Sequence, residues 1–270
     1  MIGLLIGALF LPAIGVFLII PILATMMLRE FYSLMHQGGL PNFRHTGVFL
    51  GGALILLTGA QYYRPWFPAS PETLEVILLG LIVMVVFVRQ CAEKEAAKPL
   101  HQLGATLLGI LYVSLMLNFY TKLLLRWDEG DGRYLLFYMI LIVKVTDMAA
   151  YFTGCSIGRH KLIPRISPAK TWEGCMGGIL GGLITSLIFW WVADAQIGPV
   201  TFPIAHAVIL GIVLPIVGIL GDLFESLLKR AAALKDSGTV LKGMGGVMDV
   251  LDSLLFAAPV LYVFILLTGV

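Results

Sequence analysis

Apolar residues run in eight long blocks along this chain, at roughly 2–28, 47–60, 74–89, 103–125, 134–154, 175–193, 204–228 and 251–269. A helix needs about 20 predominantly apolar residues to cross a hydrocarbon core. The pattern therefore predicts an all-α polytopic membrane protein of about eight spanning helices, or nine if the first block divides. The second block is short and is expected to enter the bilayer obliquely or where it is thin. Pro12 and Pro21 should bend the first block, and a split into two short spans is the alternative. That block is too long for a signal-peptide core and lacks a basic start and a small-residue cleavage site, so it reads as a retained span. The chain enters apolar sequence almost at once, which fits an earlier span being absent. No repeat and no low-complexity linker divides the sequence. Residues 1–270 read as one integral membrane domain, with helices of low motif content over 1–130 and the polar motifs over 134–270.

Composition agrees with the pattern. Hydrophobic residues make up 59% and charged residues only 13%, and mean hydropathy is +0.95; a soluble domain carries roughly a quarter of its residues charged. A net charge of +2, with no basic run interleaved with aromatics, argues against a nucleic-acid partner. Cys91, Cys155 and Cys175 show no CxxC or metal-ligand spacing and read as small packing residues. The five histidines show no HExxH or paired spacing, and no Walker loop, GxSxG or Rossmann fingerprint is present.

Lysine and arginine set the expected orientation, because cytoplasmic loops carry their excess. The loops after blocks one, three, five and seven hold Arg29, Arg44, Arg89, Lys94, Lys98, Arg159, Lys161, Arg165, Lys170, Lys229, Arg230, Lys235 and Lys242. The opposite loops hold Arg64, Lys122, Arg126 and Arg133, and Lys144 lies inside a block. The first set is expected to face the cytoplasm. The polar cavity predicted between 155–174 and 229–250 then opens on that side. Both termini face outward for eight spans, and a further or split N-terminal span would turn the N terminus inward.

Polar residues crowd between Gly221 and Ser253. Asp222 and Glu225 lie three apart at the end of the seventh block, and Asp249 and Asp252 repeat that spacing at the start of the eighth. Each pair alone reads equally as an interfacial cap. Two pairs on consecutive helices, joined by a Lys- and Gly-rich loop, point to a shared cation site, since carboxylates at membrane depth line polar cavities or pair. Lys229, Arg230, Lys235 and Lys242 suit either positive-inside anchoring or phosphate binding. Gly243, Gly245 and Gly246 before a helix favour the second, because exposed amides there accept an anion.

The loop from Gly158 to Gly174 mixes Lys161, Ser167, Lys170 and Thr171 with turn residues. It reads either as an interfacial segment anchored by Trp172 or as a source of phosphate ligands. Lys144 and Asp147, three apart in the fifth block, are expected to pair with each other and to border the same cavity. Gly174, Gly177, Gly178, Gly181 and Gly182 predict close helix packing, within the chain or across a dimer. Divalent metal and phosphate ligands on one short stretch point to metal-dependent chemistry on a phosphorylated substrate.

At these loops the chain resembles the phosphatidate cytidylyltransferases, also called CDP-diacylglycerol synthases. That family's C-terminal motif runs Ser-x-x-Lys-Arg, Lys-Asp-x-Gly, then Gly-His-Gly-Gly leading into Asp-Arg-x-Asp-Ser. Here it stands as Ser226, Lys229, Arg230, Lys235, Asp236, Gly238, Gly243, Gly245, Gly246, Asp249, Asp252 and Ser253. Gly221-Asp222-Leu223, the stretch from Ile166 through Ser167, Lys170 and Thr171 to Gly174, and Asp147 followed by Ala150-Tyr151-Phe152 are similar too. The resemblance covers about the last half of the chain. Two positions depart from it: Met244 stands where the family usually has His, and Val250 where it usually has Arg.

The resemblance implies a reaction of phospholipid biosynthesis, in which CTP and phosphatidate give CDP-diacylglycerol and pyrophosphate at the cytoplasmic face of the inner cell membrane. It implies Mg²⁺ on Asp222 and Asp249 with Asp252 and Glu225 beside them, and room for a second cation. Lys229, Arg230, Lys235 and Lys170 would neutralise phosphate, and Asp236 would join the catalytic set. Lys161, Ser167, Thr171, Ser226, Gly245, Gly246 and Asp147 would line the substrate site. A homodimer is implied as well. Three other readings stay open: a CTP-dependent transferase for another lipid phosphate, a catalytically impaired paralogue that Met244 and Val250 would favour, and a transporter.

Overall fold

The computed structural model describes residues 7, 13–94, 98–127, 132–198, 200–233 and 246–269. Among these, eight long helices account for nearly all regular structure. They are α1 (Ala13–Gln37), α2 (Arg44–Tyr63), α3 (Pro71–Ala92), α4 (Pro99–Leu125, with a π-helical stretch at Ile110–Leu115), α5 (Arg133–Ile157), α6 (Trp172–Val192), α7 (Ile204–Ala231) and α8 (Val247–Thr268). Two small antiparallel hairpins interrupt them. β1 (Lys161–Ile163) pairs with β2 (Ser167–Thr171), and β3 (Gln196–Ile197) with β4 (Val200–Thr201).

Seven of these helices are long and apolar enough to cross a membrane. The chain is a multi-pass membrane protein of the all-α class. The exception is α2. At 20 residues it would reach about 30 Å, but it carries Arg44, His45, Thr58, Gln61 and four glycines. The short second block is thus a full-length helix of lower apolarity rather than a short one.

Local chemistry explains several boundaries. Ser70 caps α3 by accepting Thr73 N at 3.2 Å, with Pro71 and Glu72 in the first turn. Thr171 ends β2 and caps α6, its hydroxyl accepting Gly174 N at 3.1 Å. Gly269 stops α8 in the left-handed region at φ +67°.

The glycines of α6 pack within the chain. A Cβ at Gly174 would stand 2.8 Å from Ala150 O, one at Gly181 2.6 Å from Ala149 Cβ, and one at Gly182 2.7 Å from Thr146 Oγ1. Helices α5 and α6 therefore lie nearly backbone to backbone, as small residues at this spacing allow.

α1 runs through the core, with Met27, Leu28, Phe31, Tyr32 and Leu34 fully buried. Just beyond its end, a Cβ at Gly38 would stand 2.8 Å from Ala232 Cα, so α1 and α7 finish side by side. Arg230 Nε, at that end of α7, donates to Ile166 O in the β1–β2 turn at 3.4 Å. The ends of α1, α5 and α7 and the starts of α6 and α8 thereby gather at one end of the bundle.

Candidate active site

A cavity of about 630 Å³ opens at that end, within the size range of small-molecule sites. Its walls come from four helices and a hairpin. α5 contributes Lys144, Asp147 and Tyr151; the hairpin Lys161, Ser167, Lys170 and Thr171; α6 Gly174 and Cys175; α7 Ile219 and Asp222; α8 Asp249 and Asp252.

Helical spacing builds the acidic centre. Asp222 and Glu225 share one face of α7, and α8 brings Asp252 against them, so that one oxygen of each lies within 4.8 Å of the others. Glu225 is 1% exposed and Asp252 7%. Oε1 of Glu225 is buried and receives no hydrogen bond. Acid oxygens gathered this closely away from water are costly, and a divalent cation, which takes oxygen ligands from carboxylates, fits the place. The chemistry of this donor set is that of a hard metal rather than of zinc, since neither His nor Cys joins it.

Lysines surround the carboxylates. Lys170 Nζ lies 2.7 Å from Asp222 Oδ2. Lys229 Nζ lies 2.6 Å from Glu225 Oε2 and 3.0 Å from Asp249 Oδ1. Lys144 Nζ donates to Asp147 Oδ2 at 3.1 Å, to Ser253 Oγ at 2.9 Å and to Val250 O at 3.1 Å. Ser253 Oγ in turn donates to Asp147 Oδ2 at 3.1 Å. The pairing of Lys144 with Asp147 read from their spacing is present, and it extends across to α8.

Other expected site residues take specific places. Asp249 differs from the other three acids: its Oδ2 accepts Gly246 N at 2.6 Å, so it caps α8 as well as pairing with Lys229. That same bond occupies the Gly246 amide, which the sequence suggested for phosphate. Ser226 Oγ donates to Asp222 Oδ1 at 3.4 Å. Thr171 lines the cavity while its hydroxyl serves the α6 cap. Arg230 is engaged with the hairpin turn. Lys235, Asp236 and Gly245, with Gly238, Lys242, Gly243 and Met244, lie outside the described residues.

Two residues here carry more than their sequence signals suggested. Lys144 donates to α8 as well as to its own helix, where its spacing pointed only to the pairing with Asp147. Glu30 of α1 reaches the start of α8. It follows the apolar run that ends at 28, where it reads as a loop residue.

Known proteins resemble this chain along its length. The model of the family described as "Cytidylyltransferase family" matches residues 1–268. A phosphatidate cytidylyltransferase of Bacillus subtilis (strain 168) is 38% identical over 161 residues, 60% of this chain and 57% of that protein. The match thus spans less than two thirds of that relative's length. One of Chlamydia pneumoniae is 36% identical over 236 residues, 85% of this chain and 74% of the relative. An uncharacterized protein of Escherichia coli (strain K12), YnbB, is 36% identical over 248 residues, covering 90% of this chain and 76% of the other.

Proposed function

The chain belongs to the cytidylyltransferase family, and with it to the nucleotidyltransferases, and from that premise we propose that it transfers the cytidylyl group of CTP to phosphatidate. The products are CDP-diacylglycerol and pyrophosphate. The observation that carries the reading is the convergence of Asp222, Glu225 and Asp252, with the buried Glu225 Oε1 among them, beside a cavity that Asp222 and Asp252 line together with lysines. One ligand satisfies both halves of that arrangement: a nucleotide triphosphate with its divalent ion.

Asp222, Glu225 and Asp252 would hold Mg²⁺, with Asp249 facing the same cavity. When bound, the ion supplies charge neutralisation for the triphosphate and for the departing pyrophosphate. The chain's own work is positioning. Without substrate, Lys170 rests on Asp222, and Lys229 on Glu225 and Asp249. With the carboxylates holding the ion, these ammonium groups would be released to meet phosphate oxygens. Lys161 and Ser167, on the hairpin over the cavity, suit the outer phosphates. A phosphatidate oxygen then attacks the α-phosphorus in line, forming one P–O bond as the bond to the β-phosphate breaks. The nucleophile is already anionic, so little proton transfer is required and orientation supplies most of the rate.

The basic loops support a site on the cytoplasmic face of the inner cell membrane, where CTP is available and the acyl chains stay in lipid. The assay is direct: purified protein, radiolabelled CTP, phosphatidate and Mg²⁺, scored for labelled CDP-lipid. Expected is product that disappears with EDTA and in Asp222→Asn. A folded protein that forms no product, or an Asp222→Asn variant with unchanged turnover, rejects the proposal. Product only with a different lipid phosphate, such as an isoprenoid glycerol phosphate, corrects the acceptor while keeping the chemistry.

A further inference from the structure

A helix leaves the amides of its first turn without intrahelical partners. At α8 those amides are taken by the protein itself. Glu30 of α1, 217 residues away in sequence, accepts Val247 N on Oε1 at 2.9 Å and Met248 N on Oε2 at 2.9 Å. The amide before them, Gly246 N, goes to Asp249. Glu30 is buried, 6% exposed, and among the described residues no lysine or arginine lies within ion-pair distance of it. Its charge is met by the positive end of α8. A carboxylate buried without a cation holds its place through those two bonds, so the contact fixes both groups.

The place it fixes matters for the site. Asp249 and Asp252 sit in the first two turns of α8, directly after the clamped amides. Successive helical residues differ by about 100° around the axis. A slip of one residue at this end would turn Asp252 away from Asp222 and Glu225. Resting on the metal-site reading given above, we propose that Glu30 is a positioning residue of the acidic site, seating the start of α8 so that Asp252 meets Asp222 and Glu225 of α7. The clamp has a second consequence. The amides of Gly246, Val247 and Met248 are occupied, which among the described residues leaves phosphate charge to the cavity's lysines.

The test uses Mn²⁺ as the probe, bound to the purified full chain without nucleotide and followed by EPR, together with amide exchange over residues 246–249. Glu30→Gln keeps the size but offers one acceptor oxygen where two are used. Leu34→Ala removes a fully buried side chain of the same helix and serves as the packing control. Expected for Glu30→Gln is Mn²⁺ binding weakened about 10-fold or more, as when an outer partner of a metal ligand is lost, with faster exchange at the start of α8. Leu34→Ala should lower the melting midpoint and leave Mn²⁺ affinity within about twofold. If Glu30→Gln does not fold, Glu30→Asp, which keeps the charge but falls short of the amides, carries the same comparison. Unchanged Mn²⁺ affinity in the Glu30 variant, or an equal loss in Leu34→Ala, overturns the proposal. No turnover enters these measurements, so a wild-type chain that binds Mn²⁺ but makes no CDP-lipid rejects the transfer reaction and leaves Glu30's role standing.

Discussion

Two clusters of charge lie within this helix bundle. One gathers Asp222, Glu225 and Asp252 with Lys170 and Lys229 around the cavity. The other lies about 15 Å further along α8, near Tyr262. There Glu75 of α3 pairs with Lys122 of α4 and accepts Asn118 Nδ2 at 2.7 Å, while Asn118 Oδ1 accepts Thr58 Oγ1 at 2.9 Å. Lys122 Nζ also sits 4.4 Å from the centre of the Phe119 ring and 5.4 Å from that of Tyr262.

Both clusters hold deeply buried acids, Glu225 at 1% exposure and Glu75 at 6%, but their lysines differ. The side chains of Lys122 and Glu75 are 6% and 8% exposed, against 21% and 34% for Lys170 and Asp222. Yet both oxygens of Glu75 have partners. At the cavity three acids converge, and each lysine is shared or exchangeable. Depth in the membrane marks a charge as costly; acids converging beside an open cavity mark it as chemistry.

The largest expected break in this comparison is Asp222→Asn. It should lower CDP-lipid formation about 10³-fold or more, with the melting midpoint little changed, because Asp222 is partly exposed and its lysine partner stays solvated. Turnover within tenfold of wild type, on the scale of a minor contact, would place the acidic centre outside the reaction.

Glu75→Gln should behave in the opposite way. It leaves Lys122 charged and buried, at a cost of about 3–5 kcal/mol. A melting midpoint lower by roughly 10 °C follows, with turnover per folded molecule kept. A variant that melts normally but loses activity would move the second cluster into the mechanism.

Gly182→Ala tests the scaffold between them. The new methyl meets Thr146 Oγ1 and Pro215 Cγ at the joint of α5, α6 and α7. Overpacking of this kind costs about 1–3 kcal/mol. A melting midpoint lower by several degrees is expected, with the Mg²⁺ dependence of turnover unmoved. A shift in Mg²⁺ dependence would show that the acidic centre is held by α6 as well as by α7 and α8.

How far the sequence discloses this contrast depends on the range of each contact. Asp222 with Glu225, and Asp249 with Asp252, announce themselves because three-residue spacing is a local signal. That spacing does not tell which acid will cap a helix, and Asp249 does so while Asp252 turns to α7. The eight apolar blocks foretell the helices. Their ends are less legible: α1 continues beyond its apolar run to Gln37, with Phe31, Tyr32, Leu34 and Met35 buried in its last turns. Glu30 was invisible for that reason, its partners lying at Val247 and Met248. Glu75 and Lys122 were invisible as a pair because four turns of α3 and most of α4 separate them. The α6 glycines foretold close packing, while their partner on α5 came only with the structure. For the loop bearing Lys235, Asp236 and Gly245, the sequence motif is the sole guide.

The smallest effect is the one that separates the clusters most sharply. Replacing both Glu75 and Lys122 by apolar residues of similar size, Glu75→Leu with Lys122→Met, removes the charge and its desolvation penalty together. Replacements of this kind are neutral or stabilising in many proteins, whereas deleting one partner is not. Asn118 loses one acceptor but keeps Thr58, and Phe119 and Tyr262 present faces that a methionine packs against well. The double variant should therefore melt within about 2 °C of wild type, on the scale of a change below 1 kcal/mol, and turn over at the wild-type rate. No such swap exists at the cavity, because removing Lys170 and Asp222 together also removes what holds the substrate and its ion. A double variant at Glu75 and Lys122 that is as damaging as Glu75→Gln alone would mean that this pair, too, is needed for its charge.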